Sequence, residues 1–281
     1  MITPSAPAFV VANGVRFAFI EEGRGPLVLL LHGFPDTPQT WDAVRPALAA
    51  AGYRAVTPFL RGYAPTAIPA DGVYDSDTLG RDALALIEAL GEQHAVVVGH
   101  DWGASAAYSA ATLGPERVTK LITVAIPHPA SLRPTPRLAW TARHFFSLRR
   151  RGAVEMARAN DFAHIDELVQ RWSPVWKVPP GETDAVKRAF GEPGCLDAAL
   201  GYYRAMRLRP PRSLRARIRV PTVSFAGMND VVPTEAYDRA ASWFTGGYEV
   251  VRMPGGHFMH REHPAHFVSE LLRVLGAPAR G

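Results

Sequence analysis

Runs of apolar residues divide the chain into segments and predict eight β-strands. The first two strands, 9–11 and 15–20, are joined by Asn13-Gly14, a dipeptide typical of two-residue hairpin turns. Leu27–Leu31 is apolar at five successive positions, which is the pattern of a strand buried on both faces. The remaining predicted strands are 53–57, 95–98, 121–126, 222–226 and 248–252.

Helical spacing of apolar residues alternates with these strands. Small residues after position 103 predict a helix that packs closely on the sheet. Other helices are predicted at 39–50, 77–90, 234–244 and 264–275. Strands that alternate with helices indicate an α/β protein with a doubly wound, mostly parallel sheet.

The alternation stops between residues 129 and 211, where helical stretches, prolines and aromatic residues follow one another. The pattern therefore predicts three parts: a first core part at 1–128, a helical cap at 129–211 and a second core part at 212–281. An insertion at this point is expected over the carboxyl ends of the strands, where open α/β sheets bind ligands.

The most informative stretch is Gly99-His100-Asp101-Trp102-Gly103, which follows a predicted buried strand and precedes a predicted helix. A strand, a glycine-flanked turn and a helix form the nucleophile elbow, which is usually written G-x-S-x-G. Here the central residue is an aspartate, whose carboxylate is ionised at neutral pH and can attack a saturated carbon to leave an ester. The pentapeptide alone is equally compatible with a plain glycine turn that contains an aspartate.

Two further residues favour the catalytic interpretation. Hydrolases with this elbow carry the nucleophile, the acid and the histidine in that chain order. Asp230 follows the strand 222–226, and His257 follows the strand 248–252. Taken singly, Asp230 is also compatible with a helix N-cap and His257 with an ordinary loop histidine. Because Asp101, Asp230 and His257 follow strands in the expected chain order, we predict that His257 is the general base and that Asp230 orients its imidazole.

Two backbone N–H groups are the expected donors to the oxyanion of the tetrahedral intermediate. Trp102 directly follows the predicted nucleophile, and Phe34 lies in the loop after Leu27–Leu31. These are the places where α/β enzymes with a nucleophile elbow build an oxyanion hole.

Composition narrows the classes of function. The 281 residues are 47% hydrophobic, which suits a sizeable core, and no apolar run approaches the ~18 residues of a membrane span. The net charge of +5 comes largely from arginine, but the basic clusters lack interleaved aromatic residues, so nucleic acid is not an expected partner. With Cys195 as the only cysteine and no signal-peptide pattern, we expect a cytoplasmic protein.

No cofactor or metal is predicted. His257, His260, His263 and His266 recur at intervals of three, but the stretch begins in a loop and contains Pro264. It also lacks the cysteine partners that many structural zinc sites have. No phosphate-binding glycine motif occurs.

The motifs together resemble those of the α/β-hydrolase epoxide hydrolases and, more distantly, the haloalkane dehalogenases. The resemblance rests on His32-Gly33-Phe34-Pro35, Arg61-Gly62-Tyr63, Gly99-His100-Asp101-Trp102-Gly103-Ala104, Asp230, and Gly256-His257 followed by Glu262 and Pro264. It implies the α/β-hydrolase fold, a cis peptide before Pro35, a nucleophilic Asp101 and a helical cap. Phe34 resembles the epoxide hydrolases, whereas common haloalkane dehalogenases have a polar residue there.

The resemblance also implies donors for the oxygen of an opening epoxide. Epoxide hydrolases of this family use two cap tyrosines, and the motif of the second resembles Gly201-Tyr202-Tyr203-Arg204, which matches Tyr203. No tyrosine occurs between positions 108 and 202, so the first is missing. A related subgroup has histidine there, and His144 is the candidate, although the match by spacing lies nearer position 141 or 142. The predicted substrate-binding residues are Trp102, Trp140, His144 and Tyr203.

Three functions remain open from the sequence. The first is an epoxide hydrolase that acts on a small apolar substrate and water. The second is a haloalkane or haloacid dehalogenase of the same fold, in which the indoles of Trp102 and a cap tryptophan would bind the halide. The third is a ligand-binding protein on a degenerate hydrolase fold, which the intact Asp101, Asp230 and His257 disfavour. The sequence does not determine the oligomeric state, and a homodimer remains open.

Overall fold

The structure is a computed structural model that describes residues 6–133, 135, 140, 142–207 and 209–276. Its centre is an eight-stranded sheet with the order β1-β2-β4-β3-β5-β6-β7-β8. Only the β1–β2 and β2–β4 pairs are antiparallel, and the remaining pairs are parallel. The strands are β1 Ala8–Ala12, β2 Val15–Glu22, β3 Leu27–Leu31, β4 Arg54–Pro58, β5 Ala95–His100, β6 Val118–Val124, β7 Thr222–Gly227 and β8 Tyr248–Met253.

The antiparallel edge begins with the predicted hairpin. Ala12 pairs with Val15, so Asn13 and Gly14 alone form the turn. Both have positive φ, 46° and 73°, as a two-residue turn that follows the twist of its strands requires. The prediction from the Asn-Gly dipeptide is confirmed.

The centre of the sheet is buried on both faces, as the apolar run in β3 predicts. All five residues of β3 are buried, and they alternate between two hydrophobic clusters, one on each side of the sheet. Helices cover both clusters, and the predicted doubly wound architecture is confirmed. The helices of the two core parts are α1 Arg45–Ala50, α2 Ser76–Ala89, α3 Trp102–Leu113, α8 Glu235–Ala240, α9 Met259–Glu262 and α10 Pro264–Leu275.

Several predicted boundaries are wrong, each for a local reason. The helix expected at 39–50 is divided into a 3-10 turn, Pro38–Trp41, and α1, because Pro46 lacks the N–H that would continue a helix from Asp42. The sixth strand begins at Val118 because Val118 pairs with Ala95 across the sheet. The α-helix expected at 234–244 covers only Glu235–Ala240 and is followed by a 3-10 turn at Ala241–Trp243.

Between β6 and β7, the described residues form helices and turns but no strand. We call residues 129–211 the helical insertion. The longest helix, α5, is broken at 159–162, where three successive residues have positive φ. No described helix is long and apolar enough to span a membrane. Among the described residues, the α-helices of the insertion are α4 His144–Ser147, α5 Ala153–Trp172, α6 Asp184–Gly191 and α7 Cys195–Ala205.

Candidate active site

Asp101 occupies the turn between β5 and α3, with a backbone (φ 50°, ψ −116°) that non-glycine residues rarely adopt. The neighbouring glycines make this turn possible. A Cβ on Gly99 would lie 2.2 Å from the carbonyl oxygen of Gly103, and a Cβ on Gly103 would lie 2.3 Å from the carbonyl oxygen of Leu31. The strand–turn–helix geometry predicted from the pentapeptide is therefore present, with the carboxylate at its apex.

The structure brings Asp101, His257 and Asp230 together from three loops. Nδ1 of His257 lies 3.2 Å from Oδ2 of Asp230, within hydrogen-bond distance. Nε2 of His257 lies 3.5 Å from Oδ2 of Asp101 and forms no hydrogen bond with any described residue. The imidazole thus stands between two carboxylates, bonded to one and directed at the other.

Asp230 is held so that it can orient the ring. Its side chain is fully buried, and its other oxygen accepts a hydrogen bond of 3.2 Å from the backbone N–H of Val232. An ionised carboxylate can only accept, so Nδ1 of His257 carries the proton in this bond. The lone pair or second proton of the imidazole is then on Nε2, on the side of Asp101.

Glycines also let the loops that carry Asp230 and His257 approach each other. A Cβ on Gly227, at the end of β7, would lie 2.3 Å from the carbonyl oxygen of Gly256, which directly precedes the histidine. The carboxyl ends of two adjacent parallel strands therefore deliver the acid and the histidine to one place.

The two carboxylates control the protonation of His257. Burial disfavours the imidazolium, but the charge of Asp230, the hydrogen bond to Asp230 and the nearby charge of Asp101 outweigh it, raising the pKa of His257 to about 10. Burial also disfavours ionised Asp101, yet its pKa falls below the usual value because of His257, His100 and the N–H of Phe34. In the resting protein, therefore, Asp101 is a carboxylate that faces a protonated His257.

The predicted oxyanion donors lie beside Asp101. The backbone N–H of Phe34 donates a 2.9 Å hydrogen bond to Oδ1 of Asp101. A Cβ on Gly33 would lie 2.4 Å from the Cβ of Asp101, so only glycine permits this approach. Trp102 is the first residue of α3, where a backbone N–H has no intrahelical acceptor. The cis peptide expected before Pro35 is confirmed.

Tyr203 packs over this part of the site. It is buried in α7, with its ring centroid 5.1 Å from that of Phe34 and 5.2 Å from that of Trp102, edge to face in both cases. Burial raises the pKa of the Tyr203 phenol well above its ordinary value, and the charge of Asp101 adds to this shift. The phenol therefore keeps its proton throughout the neutral range.

His144 also lies at the site, whereas Trp140 does not. The buried His144 ring is 6.0 Å from Tyr203 and 4.7 Å from Trp172, centroid to centroid, and Trp172 is 5.2 Å from the ring of His257. Trp140 is 69% exposed, with the guanidinium of Arg143 over its ring at 4.4 Å. Trp140 therefore lies at the surface of the insertion, outside this aromatic cluster.

The insertion is bonded directly to the loop that carries His257. The backbone N–H of His257 donates to the carbonyl oxygen of Trp172 at 3.1 Å. The hydroxyl of Ser173 donates to Glu262 at 2.6 Å and accepts from the N–H of Phe258 at 3.2 Å. No sequence pattern points to Ser173, because a serine after a helix is common and its partner, Glu262, lies 89 positions away.

Phe190 is a further aromatic residue at the site that sequence reasoning did not predict. The ring of Phe190, in α6, stacks on Phe34 at 5.6 Å. Its spacing with Val186 and Ala189 indicates only an amphipathic helix, and not that the apolar face lies over the site.

One buried group of residues has side chains of the kind that bind metals: Asp36, His100 and His260. The carboxylate of Asp36, however, already accepts hydrogen bonds from the N–H of Thr37 at 2.9 Å and from Arg261 at 2.9 Å. A guanidinium bonded to the only anionic ligand disfavours a divalent cation there. The arrangement fits a buried polar network beneath His257 better than a metal site.

The fold and the site together define an α/β hydrolase, and comparison with known proteins agrees. A family model described as alpha/beta hydrolase fold matches residues 26–264. Epoxide hydrolase A of Mycobacterium tuberculosis is 30% identical over 310 residues, covering 95% of this chain and 96% of that protein. The AB hydrolase superfamily protein YfhM of Bacillus subtilis is 30% identical over 274 residues, covering 94% and 95%.

A solved structure shows the same architecture. The crystal structure of Bacillus megaterium epoxide hydrolase in complex with an inhibitor superposes with a TM-score of 0.86, covering 96% of this chain and 100% of that one. At 24% identity this match shows the fold alone. The chain belongs to the α/β-hydrolase family and, within it, to the epoxide hydrolase-like proteins.

Proposed function

We propose that the protein is an epoxide hydrolase that opens its substrate with Asp101 and forms a vicinal diol through a covalent ester. The observation that carries this proposal is the arrangement around one carboxylate. Oδ1 of Asp101 is bonded to the N–H of Phe34, Oδ2 faces the imidazole of His257, and the ring of Tyr203 packs against that of Phe34. Epoxide hydrolase A of Mycobacterium tuberculosis, which is similar over nearly the whole chain, supports the same activity.

In the first step, Oδ2 of Asp101 attacks an epoxide carbon, and the carbon–oxygen bond of the ring breaks. The leaving oxygen becomes an alkoxide, which is far more basic than a phenolate and takes the proton of Tyr203. His144, 6.0 Å from Tyr203 between ring centroids, is proposed as the second donor to this oxygen. The rings of Trp102 and Tyr203 bind the apolar part of the substrate.

In the second step, water attacks the carbonyl carbon of the Asp101 ester. The ester is neutral, so the negative charge that helped to hold the proton on His257 has gone and the pKa of His257 falls. The imidazolium gives up one proton, which restores the Tyr203 phenol through solvent, and the neutral His257 then accepts a proton from the attacking water while Asp230 stabilises the imidazolium. The N–H groups of Phe34 and Trp102 stabilise the oxyanion; when it collapses, the leaving oxygen of the diol takes the proton from His257, and the acid left at Asp101 returns its own proton to His257.

The helical insertion, 129–211, is proposed to act as the cap of the enzyme between core parts 1–128 and 212–281. It contributes Tyr203, His144 and Trp172 to the site and is bonded to the backbone of His257. This placement excludes bulk water during alkylation. Hydrolysis of the ester then needs only one water molecule.

A dehalogenase is the second candidate, and one observation favours it. The indole Nε1 of Trp172 is buried and has no hydrogen-bond partner in the described ranges, although the ring is 5.2 Å from that of His257. With the indole of Trp102, it would offer two N–H donors to a leaving halide. A halide is a weak base that needs no acid, so Tyr203 would then matter less.

The proposal is tested by single turnover in water labelled with heavy oxygen. Because water attacks the ester carbonyl, the label is expected in the Asp101 carboxylate, where peptide mass spectrometry detects it. Label found in the diol alone would exclude the covalent mechanism. Diol formation and halide release, measured side by side on matched epoxides and haloalkanes, separate the two candidate functions.

A further inference from the structure

The beginning of the helical insertion carries charge of one sign only. Residues 129–154 include six arginines and no lysine, aspartate or glutamate, whereas residues 155–197 include eight carboxylates and five lysines or arginines. Residues 149–151, between α4 and α5, are all arginine and all exposed. The carboxylates of the described insertion that form ion pairs lie elsewhere: Asp166, Glu167, Glu182 and Asp197.

Exposed aromatic side chains lie beside these arginines. Phe146 and Trp140, 72% and 69% exposed, are the two most exposed large hydrophobic side chains of the described residues. The backbone N–H of Arg143 donates to the carbonyl oxygen of Trp140 at 3.4 Å, and that of Phe146 donates to Arg143 at 3.1 Å. Residues three positions apart eclipse in such turns, so all three lie on one side of the segment.

The other side of the same segment faces the proposed site. His144 and Leu148 are buried, and the ring of His144 is 4.7 Å from that of Trp172, centroid to centroid. The ring of Phe145 is 5.5 Å from that of Tyr203. One helix, α4, therefore separates the exposed aromatic side chains from the site.

We call Trp140, Arg143, Phe146 and the arginines at 149–151 the aromatic–basic face. A second copy of the chain does not fit this face, because in a two-fold contact arginines would meet arginines with no carboxylate of residues 129–154 to pair with them. A partner that offered negative charge alone would leave the two aromatic rings in water.

The surface of a bilayer that contains anionic lipids offers both kinds of contact. Its phosphate groups pair with guanidinium groups, and the apolar layer lies directly beneath them. Tryptophan is enriched at this depth because its ring is apolar and its N–H is polar. In the aromatic–basic face, the guanidinium of Arg143 lies over the ring of Trp140 at 4.4 Å, so charge and apolar surface are already side by side.

We propose that the aromatic–basic face binds the surface of bilayers that contain anionic lipids, and that the enzyme takes apolar epoxides dissolved in them. The second part rests on the proposed function, whereas the first part does not. The face is on the outer side of α4, so bound lipid would be one helix away from the aromatic residues of the site.

Co-sedimentation with vesicles measures this contact without turnover. At low ionic strength, the wild type should bind vesicles of phosphatidylcholine mixed with phosphatidylglycerol at least about tenfold more tightly than vesicles of phosphatidylcholine alone. Arg149→Gln/Arg150→Gln/Arg151→Gln should lower the affinity for the mixed vesicles at least about tenfold, because each arginine near an anionic surface adds to binding. No preference of the wild type for the mixed vesicles would overturn the proposal.

Tryptophan fluorescence reports whether the aromatic part of the face enters the lipid. Trp140 is the only exposed tryptophan among the described residues, so mixed vesicles should shift the emission to shorter wavelength. Trp140→Phe should abolish this shift and retain most of the binding. Trp140→Ser/Phe146→Ser should weaken binding several-fold, because less apolar surface leaves water. Binding of the wild type without any shift would refute insertion of the face.

Arg207→Gln/Arg209→Gln/Arg212→Gln is the matched control. These arginines are exposed, and residues 204–219 contain no aromatic residue. The variant loses the same charge and should bind mixed vesicles as the wild type does. Equal losses in the two triple variants, both with wild-type melting temperature, would show attraction by net charge and overturn the proposal. Binding of a DNA duplex but not of mixed vesicles would also overturn it.

A turnover measurement separates the bilayer contact from the proposed reaction. An apolar epoxide dissolved in mixed vesicles should be hydrolysed faster than the same epoxide in phosphatidylcholine vesicles, and the variant at 149–151 should lose this difference. A water-soluble epoxide should be hydrolysed equally by both proteins. Vesicle binding in a protein that opens no epoxide would support the face and refute the epoxide hydrolase assignment. Epoxide turnover without vesicle binding would refute the face alone.

Discussion

At the scale of single residues, the charge on Asp101 has two consequences. It makes the carboxylate a candidate nucleophile that needs no base to activate it, and it helps to hold a proton on His257. In the proposed mechanism the same imidazole is therefore an inert cation during alkylation and, once the ester has formed and that proton has left, a base during hydrolysis. Because Nε2 of His257 lies 3.5 Å from Asp101, this coupling needs no movement of either residue.

His257→Gln is expected to separate the two steps. Alkylation needs the carboxylate of Asp101 and the proton of Tyr203 but no base, so the ester should still form, whereas its hydrolysis should stop because the base is missing. Intact-protein mass spectrometry should show an adduct equal to the mass of the epoxide. Asp101→Ala should show no adduct under the same conditions. Steady-state turnover at the wild-type rate in His257→Gln would remove this histidine from the mechanism.

Tyr203→Phe is expected to slow epoxide alkylation by about 10²-fold or more, the scale of a lost general acid. The reason is that the alkoxide loses its donor, while the ring still packs on Phe34 and Trp102. Carbon–halogen cleavage should be much less affected, because a halide is a weak base. Stopped-flow alkylation rates on an epoxide and a matched haloalkane measure both effects. An equal loss on the two substrates would indicate a packing role alone.

Sequence reasoning predicted the three residues that follow strands in the chain order of nucleophile, acid and histidine. Asp101, Asp230 and His257 each follow a strand, and the imidazole of His257 lies 3.2 Å from Asp230 and 3.5 Å from Asp101. Sequence reasoning could not find Ser173, because its hydrogen bonds to Glu262 and Phe258 depend on where helix α5 lies relative to the core. That position is set by tertiary packing, which no local spacing encodes.

At the scale of secondary structure, the apolar runs and the Asn13-Gly14 turn predicted all eight strands, although only Ala12 is buried in β1. Boundaries were less predictable, because they depend on partners distant in sequence. Val118 joins β6 only through its pairing with Ala95, and α1 begins late because of Pro46. The break in α5 at 159–162 has no proline or glycine to indicate it.

Gly99→Ala tests the elbow as an element. The added Cβ would lie 2.2 Å from the backbone oxygen of Gly103, so β5 and α3 would have to separate. We expect loss of most activity and a lower melting temperature, since neither neighbour is a flexible side chain. Gly191→Ala is the control, because a Cβ there meets nothing within 4 Å. Wild-type activity in Gly99→Ala would show that the close approach is unnecessary for placing Asp101.

At the scale of the whole molecule, the core and the helical insertion meet at His257. The core supplies its side-chain partner, Asp230, and the insertion supplies the backbone acceptor, the carbonyl oxygen of Trp172 at 3.1 Å. Ser173 and Glu262 add a second connection between the same two parts. The orientation of the histidine therefore depends on the docking of the insertion, although the two are distant in sequence.

The protonation of His257 predicts how the stability of the whole protein depends on pH. Its pKa is raised from 6.5 to about 10 in the folded state by two carboxylates, against the effect of burial. A group with a raised pKa stabilises the fold fully below its unfolded pKa and loses that contribution as pH rises through the folded pKa. The excess stability of the wild type over His257→Gln should therefore decrease between about pH 6.5 and pH 10. One pKa unit corresponds to about 1.4 kcal/mol, so we expect the difference in urea unfolding free energy between wild type and His257→Gln to decrease by at least about 1 kcal/mol.

His94→Gln, which removes an exposed histidine before β5, is the control for loss of a histidine as such. A difference between wild type and His257→Gln that stays constant, or increases with pH, would contradict the imidazolium held between Asp101 and Asp230.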